Sequence, residues 1–230
     1  MKKITALICF LTIFSYLYPQ NAVTYIPYQK DMREIVTDNF VVIFPQKYSE
    51  IAYRTANYAE NIHNKLKKFV NWKPHTKTTI ILTDHTDYPN GLASVILRNY
   101  IILYLAPSDL AYSLKDFEDP LYSLILHEYA HIMHLDQIRG GAFFWRALFG
   151  KLYHPVMNTF NWYIEGFAVL SETLGSKGGR LTGTYNNAIV KEAAKNKAIP
   201  NYDTLIYPIV DFPHGDSLYH FGAKFLEYLY

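Results

Sequence analysis

A short segment near the middle of the chain has the residue types of a metal site. Residues 127–131 read His-Glu-Tyr-Ala-His, which matches the pattern His-Glu-x-x-His. In a helix, side chains four positions apart share one face, so the imidazoles of His127 and His131 can reach one ion. Glu128 would then face the open side of that ion, where a general base has to lie. Because about 0.014 matches are expected by chance in a chain of this length, the pattern predicts a metal site with a general base.

A third protein ligand is needed, because two histidines alone do not hold zinc firmly. His134 lies near His131 on the same helix, and we expect it to support the site or the core rather than to bind the ion. Glu165 lies 34 positions after His131, among apolar residues of a separate helix that could pack across the first. Glu172 follows two turns later on the same face and could hydrogen-bond a ligand imidazole. We therefore expect one Zn²⁺ per chain on His127, His131 and Glu165.

These two blocks together resemble the gluzincin metallopeptidases, the group of thermolysin and aminopeptidase N. The second block reads Trp-x-x-Glu-Gly-Phe-Ala, with a further Glu seven residues after the first, at 162–172. The layout is similar to exported bacterial peptidase MA-like domains, which often precede a TolB-like β-propeller. An Arg/Phe-Gly segment at 146–150 and Gly-Gly-Arg at 178–180 fit that group. The sequence departs from the aminopeptidase branch in its longer segment between the blocks and in lacking Gly-x-Met-Glu-Asn.

The resemblance implies a zinc-dependent peptidase with a zincin-like fold, a peptide or protein substrate, and Glu128 as general base. It also implies a role for Tyr219, because Tyr-x-x-Gly at 219–222 is similar to the gluzincin motif whose tyrosine hydrogen-bonds the transition-state oxyanion. In such folds the peptide extends along an edge strand beside the metal, and residues 100–105 are the candidate strand. We expect the catalytic domain to cover residues 38–230 and to be cut short at its C-terminus, with a propeller beyond.

Two other classes of protein stay open. A non-catalytic binding or scaffold module could retain the zinc without hydrolysing a substrate. A di-iron carboxylate protein uses two Glu-x-x-His units, and the chain has them at residues 60–63 and 128–131. That fold needs four helices that carry ligands, whereas apparent strands separate the two units here. It also leaves His127 without a role.

The hydrophobic pattern places these blocks in an α+β fold. Strands are predicted at residues 40–44, 78–82, 93–97 and 100–105, a turn at 88–91, and helices at 48–72, 120–137, 161–174, 187–197 and from 217 onward. Strands precede most helices, so we expect an N-terminal lobe with a small mixed sheet and a helix, a mainly helical C-terminal lobe, and an active-site cleft between them. Asp119 with Pro120, and later Asp216, are candidate N-terminal caps.

The N-terminus is typical of an export signal. Residues 1–20 have a basic start and a short apolar run at 4–18, so they predict a signal peptide or an uncleaved anchor, followed by a lead-in at 21–37. We therefore expect an exported chain, either periplasmic, extracellular or anchored and facing outward. The single cysteine, Cys9, lies in this segment, so the mature chain would form no disulfide.

Composition limits the partners. Hydrophobic residues make up 50% of the 230 residues, which is enough for a sizeable core and argues against disorder. Bases number 22 and acids 20. Loss of Lys2 and Lys3 with the signal would bring the net charge to zero, so we expect no nucleic-acid partner. The aromatic segment 139–160 could line the cleft or contact a membrane surface.

Overall fold

The computed structural model describes residues 30–106, 119–152, 154, 159–201, 205 and 216–230. Residues 1–20 with Cys9, and all of 21–37 before residue 30, lie outside the described part, so the signal prediction is not tested by it. The elements are β1 (Met32–Val36), β2 (Phe40–Pro45), α1 (Ser49–Val70), β3 (Thr78–Thr83), β4 (Asn90–Ser94), β5 (Tyr100–Tyr104), α2 (Pro120–Leu135), α3 (Ala142–Phe149), α4 (Asn161–Gly175), α5 (Thr184–Lys195) and α6 (Ser217–Leu229). The chain is α+β, as predicted.

The five strands form one mixed sheet in the order β1-β2-β3-β5-β4. The inner strands β2, β3 and β5 are parallel, and both outer strands pair antiparallel to their neighbours. The prediction that residues 100–105 form an edge strand is wrong, because β5 lies between β3 and β4. The three central residues of β5, Ile101, Ile102 and Leu103, are all buried, as expected of a strand covered on both faces. The edge beside α2 is β4.

Two predicted boundaries near the edge strand differ from the structure. The strand predicted at 93–97 begins three residues earlier, and Leu97 has a positive φ of 63° in the connection to β5. The turn predicted at 88–91 therefore ends inside β4. The sequence analysis predicted neither β1 nor α3, since the first lay in the lead-in and the second in the aromatic segment. Of the helices that the structure describes, none combines the length and the apolarity needed to cross a membrane.

The main core lies between one face of the sheet and the helices α1 and α2. Alternate residues of the inner strands point into it, which is the period-two pattern of a sheet with one fully buried face. Its buried members include Phe40, Val42, Ile80, Leu82, Ile101 and Leu103 from the sheet, Ala59, Ile62 and Leu66 from α1, and Ile125, Tyr129, Ile132 and Met133 from α2. This core fixes α2 across the sheet.

The start of α2 has the predicted cap. The carboxylate of Asp119 accepts hydrogen bonds from the backbone N–H groups of Leu121 and Tyr122 at 3.0 and 3.3 Å, and Pro120 occupies the first turn. Asp119 also accepts a hydrogen bond from the Tyr58 hydroxyl at 2.6 Å, which ties the cap to α1. The second predicted cap differs, because Asp216 precedes α6 but its side chain makes no capping hydrogen bond.

Glycines bring α4 and α6 into direct backbone contact. A Cβ on Gly166 of α4 would lie 2.6 Å from the carbonyl carbon of Gly222 in α6. A Cβ on Gly222 would in turn overlap the carbonyl oxygen of Trp162. Gly166 and Gly222 therefore permit the close approach of α4 to α6. Since α6 also carries Tyr219, this contact sets how near that tyrosine comes to α4.

Gly222→Ala should destabilise the protein, because the added methyl group meets backbone atoms that cannot rotate away. We expect a loss of about 1–3 kcal/mol in the free energy of unfolding, the range for overpacked interiors. Gly141→Ala is the matched control, since a Cβ there meets no atom within 4 Å. Urea unfolding followed by circular dichroism measures both; equal stability of the two variants would contradict this account of the contact.

Candidate metal centre

His127 and His131 lie one helical turn apart on the face of α2 that is turned toward α4. Their Nε2 atoms are 3.2 Å apart, and their rings meet edge to face with centroids 4.8 Å apart. Glu165 of α4 reaches the same point, with Oε2 at 3.4 Å from Nε2 of His127 and 3.5 Å from Nε2 of His131. The structure thus brings together all three predicted ligands, although Glu165 lies 34 positions after His131 in the chain.

The donor atoms of these three side chains fit a metal ion. Tetrahedral bonds of 2.0–2.1 Å to nitrogen and oxygen place neighbouring donors about 3.3 Å apart. The three separations here, 3.2, 3.4 and 3.5 Å, lie close to that value. Oε2 of Glu165 is buried and makes no hydrogen bond within the described part of the chain, which suits an oxygen reserved for an ion. The group of His127, His131 and Glu165 could therefore hold a metal ion.

Glu172 and Arg180 hold His127 from its other side. The distance from Nδ1 of His127 to Oε1 of Glu172 is 2.7 Å. Arg180 donates from Nε and Nη2 to the two oxygens of Glu172, at 3.0 and 2.5 Å. Nη2 of Arg180 also lies 2.9 Å from Nδ1 of His127, but Glu172 is the nearer partner. Since a carboxylate can only accept, we place a proton on Nδ1 that is donated to Glu172. This tautomer leaves the lone pair of Nε2 pointing at His131 and Glu165.

The charges around the two imidazoles favour a cation. Burial disfavours a charged His127, but the neighbouring carboxylates of Glu165 and Glu172 outweigh it and raise its pKa to about 9. Burial also disfavours a charged Glu165, yet the imidazoles of His131 and His127 hold its pKa well below the usual range. The carboxylates thus stabilise positive charge between them. A metal cation at this point would be stabilised by the same carboxylates that otherwise favour a protonated imidazole.

Glu128 enters the site from the side of the sheet. Its side chain is buried, and burial is the main cause that raises the pKa of its carboxyl group. A Cβ on Gly91 of the edge strand β4 would lie 2.5 and 2.6 Å from Oε1 and Cδ of Glu128. Because Gly91 has no side chain, the carboxylate of Glu128 can occupy this position.

A cleft of about 460 Å³ opens over this cluster between β4, α2 and α4. Tyr219 of α6 lines the same cleft, with its ring centroid 6.2 Å from that of His127. The guanidinium of Arg180 lies 4.7 Å over the Tyr219 ring. Burial, with a contribution from Glu165, raises the pKa of Tyr219, so its hydroxyl remains a neutral donor.

Most of the site was predictable, but Arg180 was not singled out as a site residue. The sequence feature that could have indicated Arg180 was the Gly-Gly-Arg segment at 178–180. In the structure Gly179 has a positive φ of 119° and packs against Thr173 of α4. This turn brings Arg180 back onto Glu172. His134 is buried against the rings of Tyr163 and Phe167 and makes no part of the ligand group, as expected.

No protein-family model matches this chain, and no match was found among the curated proteins. The inferences about this site therefore rest on its residues and their geometry.

Removal of Glu165 should weaken metal binding far more than removal of Glu172. Glu165→Ala deletes a ligand, whereas Glu172→Ala removes only a hydrogen bond to a ligand, which typically lowers metal affinity by about 10–100-fold. Glu172→Gln is the matched control, because its amide oxygen can still accept from Nδ1 of His127. Competition with a zinc chelator gives the three affinities. If Glu172→Ala binds metal more weakly than Glu165→Ala, the third ligand is Glu172 instead.

Proposed function

We propose that this chain is a zinc-dependent metallopeptidase of the gluzincin type. The observation that carries the proposal is the convergence of His127 and His131 from one helical turn with Glu165 from another helix, with Glu128 buried beside them. Two imidazoles, one carboxylate and an open cleft are the donor set and access of catalytic zinc sites. The proposal includes the resemblance to exported peptidase MA-like domains, with an N-terminal sheet lobe and a helical C-terminal lobe on either side of the cleft.

Zinc suits the donor set better than other common ions. Imidazole nitrogens argue against magnesium and calcium, which take oxygen ligands, and three protein ligands leave one tetrahedral position for water or substrate. We propose one ion per chain. A zinc ion in this place would lower the pKa of a bound water and polarise the carbonyl of a substrate.

Glu128 acts as the general base in this proposal. Its raised pKa suits a group that accepts a proton from the attacking water and then gives it to the leaving amine. Tyr219 supplies a neutral O–H donor to the oxyanion that develops on the substrate carbonyl. Arg180 offsets the charge of Glu172, so that His127 keeps its orientation while the substrate binds.

A peptide is the substrate that the cleft suits best. The edge strand β4 runs along the cleft, with Asn90, Gly91, Leu92 and Ala93 in its wall. Its inner edge pairs with β5, and no other strand among the described residues pairs with its outer edge. An extended peptide can pair there and pass its carbonyl groups over Glu128. This role belongs to β4, not to the strand that the sequence analysis favoured.

The two alternatives differ in what they leave unexplained. A zinc-retaining binding or scaffold module accounts for the ligands, but gives no reason for a buried glutamate with a raised pKa in the cleft. A di-iron protein needs Glu60 and His63 as ligands. In the structure Glu60 accepts hydrogen bonds from Asn39 at 2.7 and 2.8 Å, and His63 contacts the Tyr129 hydroxyl at 2.7 Å. Neither belongs to the metal-binding group.

Glu128→Gln should keep the metal and lose hydrolysis. The amide cannot take a proton, so peptide cleavage should fall by roughly 10²–10⁴-fold, the usual contribution of a general base. His131→Ala should lose both the metal and the activity. Metal analysis of both variants and the parent measures the zinc content, and a peptide-library digest measures the cleavage activity. Equal digestion by parent and Glu128→Gln, or one bound zinc with no digestion by the parent, would favour the scaffold alternative.

Gly91→Ala should separate positioning of the base from binding of the metal. The new methyl group displaces the Glu128 carboxylate without touching a ligand, so we expect one zinc per chain and a lower kcat. A shift of 1 Å in a catalytic group can cost about 100-fold in rate. Gly141→Ala is again the control. Full activity in Gly91→Ala would show that Glu128 is not held by this contact.

A further inference from the structure

The helix α3 is apolar and exposed on nearly all of its sides. Arg146 is its one fully buried residue, and Ala142 is half-buried. The exposed fractions are 67% for Phe143, 65% for Phe144, 46% for Trp145, 62% for Leu148 and 49% for Phe149, with 49% for Leu152 just beyond the helix. Six large apolar side chains form a ridge of roughly 600 Å², given the size of such groups. Ridges of this size on a protein surface usually mark a contact site.

Buried ionic contacts hold this ridge in place. Arg146 pairs with the Asp136 carboxylate at the end of α2, and Lys151 lies 3.2 Å from the same carboxylate. Asn99 donates to Asp136 at 2.8 Å, and the Leu97 N–H donates to the Lys151 carbonyl at 3.3 Å. The anchor thus reaches α2 and the β4–β5 connection. It presents the apolar side chains outward instead of letting them fold onto the core.

The same end of the molecule carries exposed bases. Lys77 precedes β3 and Arg98 precedes β5, and these strand ends are adjacent because the Thr79 N–H donates to the Asn99 carbonyl at 3.0 Å. Arg139 donates to the carbonyls of Val70 and Asn71 at the end of α1. Lys73 follows that helix end and is also exposed.

Acids are scarce at this end. Residues 137–164, which contain the whole ridge, include no Asp or Glu. Within the described part of the chain, Asp38 is the exposed acid in the nearby β1–β2 turn. The ridge therefore has a basic rim, made up of Lys73, Lys77, Arg98 and Arg139.

We infer that this face docks on the surface of an anionic lipid bilayer, with α3 lying in the plane of the headgroups. Aromatic and leucine side chains beside basic residues are the composition of helices that lie in that interface. Exposed apolar side chains beside a basic rim complement both the apolar interior and the anionic headgroups of such a bilayer. A second copy of the chain would set like charges against each other across a symmetric contact. The inference does not depend on the metal site.

Vesicle binding tests the ridge and the rim separately. Partitioning of the full chain is measured by co-sedimentation with vesicles of phosphatidylcholine alone or with 30% phosphatidylglycerol, a fraction of roughly the anionic content that draws basic segments to membranes. The variant Phe143→Ser/Phe144→Ser/Leu148→Ser should bind anionic vesicles about tenfold or more weakly. The rim variant Lys73→Glu/Arg98→Glu should bind anionic vesicles more weakly by a similar factor. This loss should occur only with anionic vesicles and only at low salt.

Matched controls lie at the opposite end of the molecule. Tyr53→Ser removes an aromatic ring that is 62% exposed, and Lys30→Glu/Arg33→Glu makes the same change in charge. Both should partition like the parent. All variants share the apolar run at 4–18, so any contribution of that run to binding cancels in the comparison. A dye attached through Phe143→Cys, in a Cys9→Ser background, should shift to the blue with anionic vesicles, whereas the same dye at Tyr53→Cys should not.

Three results would overturn the inference. The first is equal partitioning of the parent, the ridge variant and the rim variant. The second is a dye at Phe143→Cys whose emission does not respond to vesicles. The third is a parent that is dimeric without vesicles in analytical ultracentrifugation while the ridge variant is monomeric, which would assign the ridge to a second copy of the chain.

Discussion

The site depends on keeping three carboxylates close to two imidazoles in a largely buried place. Glu128, Glu165 and Glu172 carry three negative charges if ionised, and Arg180 offsets one of them. Two negative charges remain near His127 and His131 when the imidazoles are neutral. Such a cluster is unfavourable without positive charge, because burial penalises each charged group. A divalent cation would supply the missing charge at the point where the three donor atoms of His127, His131 and Glu165 meet, so the electrostatics and the geometry both favour a group that could hold a metal ion.

The fold meets this demand through a series of packed layers. The sheet and α1 fix α2, whose face then meets β4 on one side and α4 on the other. Small residues let the layers approach: Gly91 admits Glu128, and Gly166 and Gly222 let α6 reach α4. Tyr219 is brought to the cleft by the last of these contacts. The candidate catalytic groups are thus carried on regular elements, which hold side chains more tightly than loops do.

Local signals in the sequence predicted the parts of the site that are themselves local. The His-Glu-x-x-His segment and the Asp119–Pro120 cap each depend on neighbours within one or two turns, and both are as predicted. Glu165 was also found, because apolar residues around a carboxylate suggested burial. The edge strand was not, since the order of strands in a sheet depends on pairings between distant segments. The bases and aromatic residues of 139–160 gave no periodic signal strong enough to predict α3.

Asp136 links the two proposals physically. It lies five residues beyond His131, which is about 8 Å along the helix axis, and it accepts from the residues that anchor α3. A buried carboxylate with this many partners contributes little net stability, because its desolvation offsets much of the attraction. Its effect is to fix direction: the ridge on α3 is held in a set orientation relative to α2, which carries the candidate ligands His127 and His131. Docking of the ridge on a bilayer would therefore set the height and the orientation of the cleft above the lipid. A substrate that lies at that surface would meet Glu128 in an orientation that a freely diffusing peptide has to find by chance.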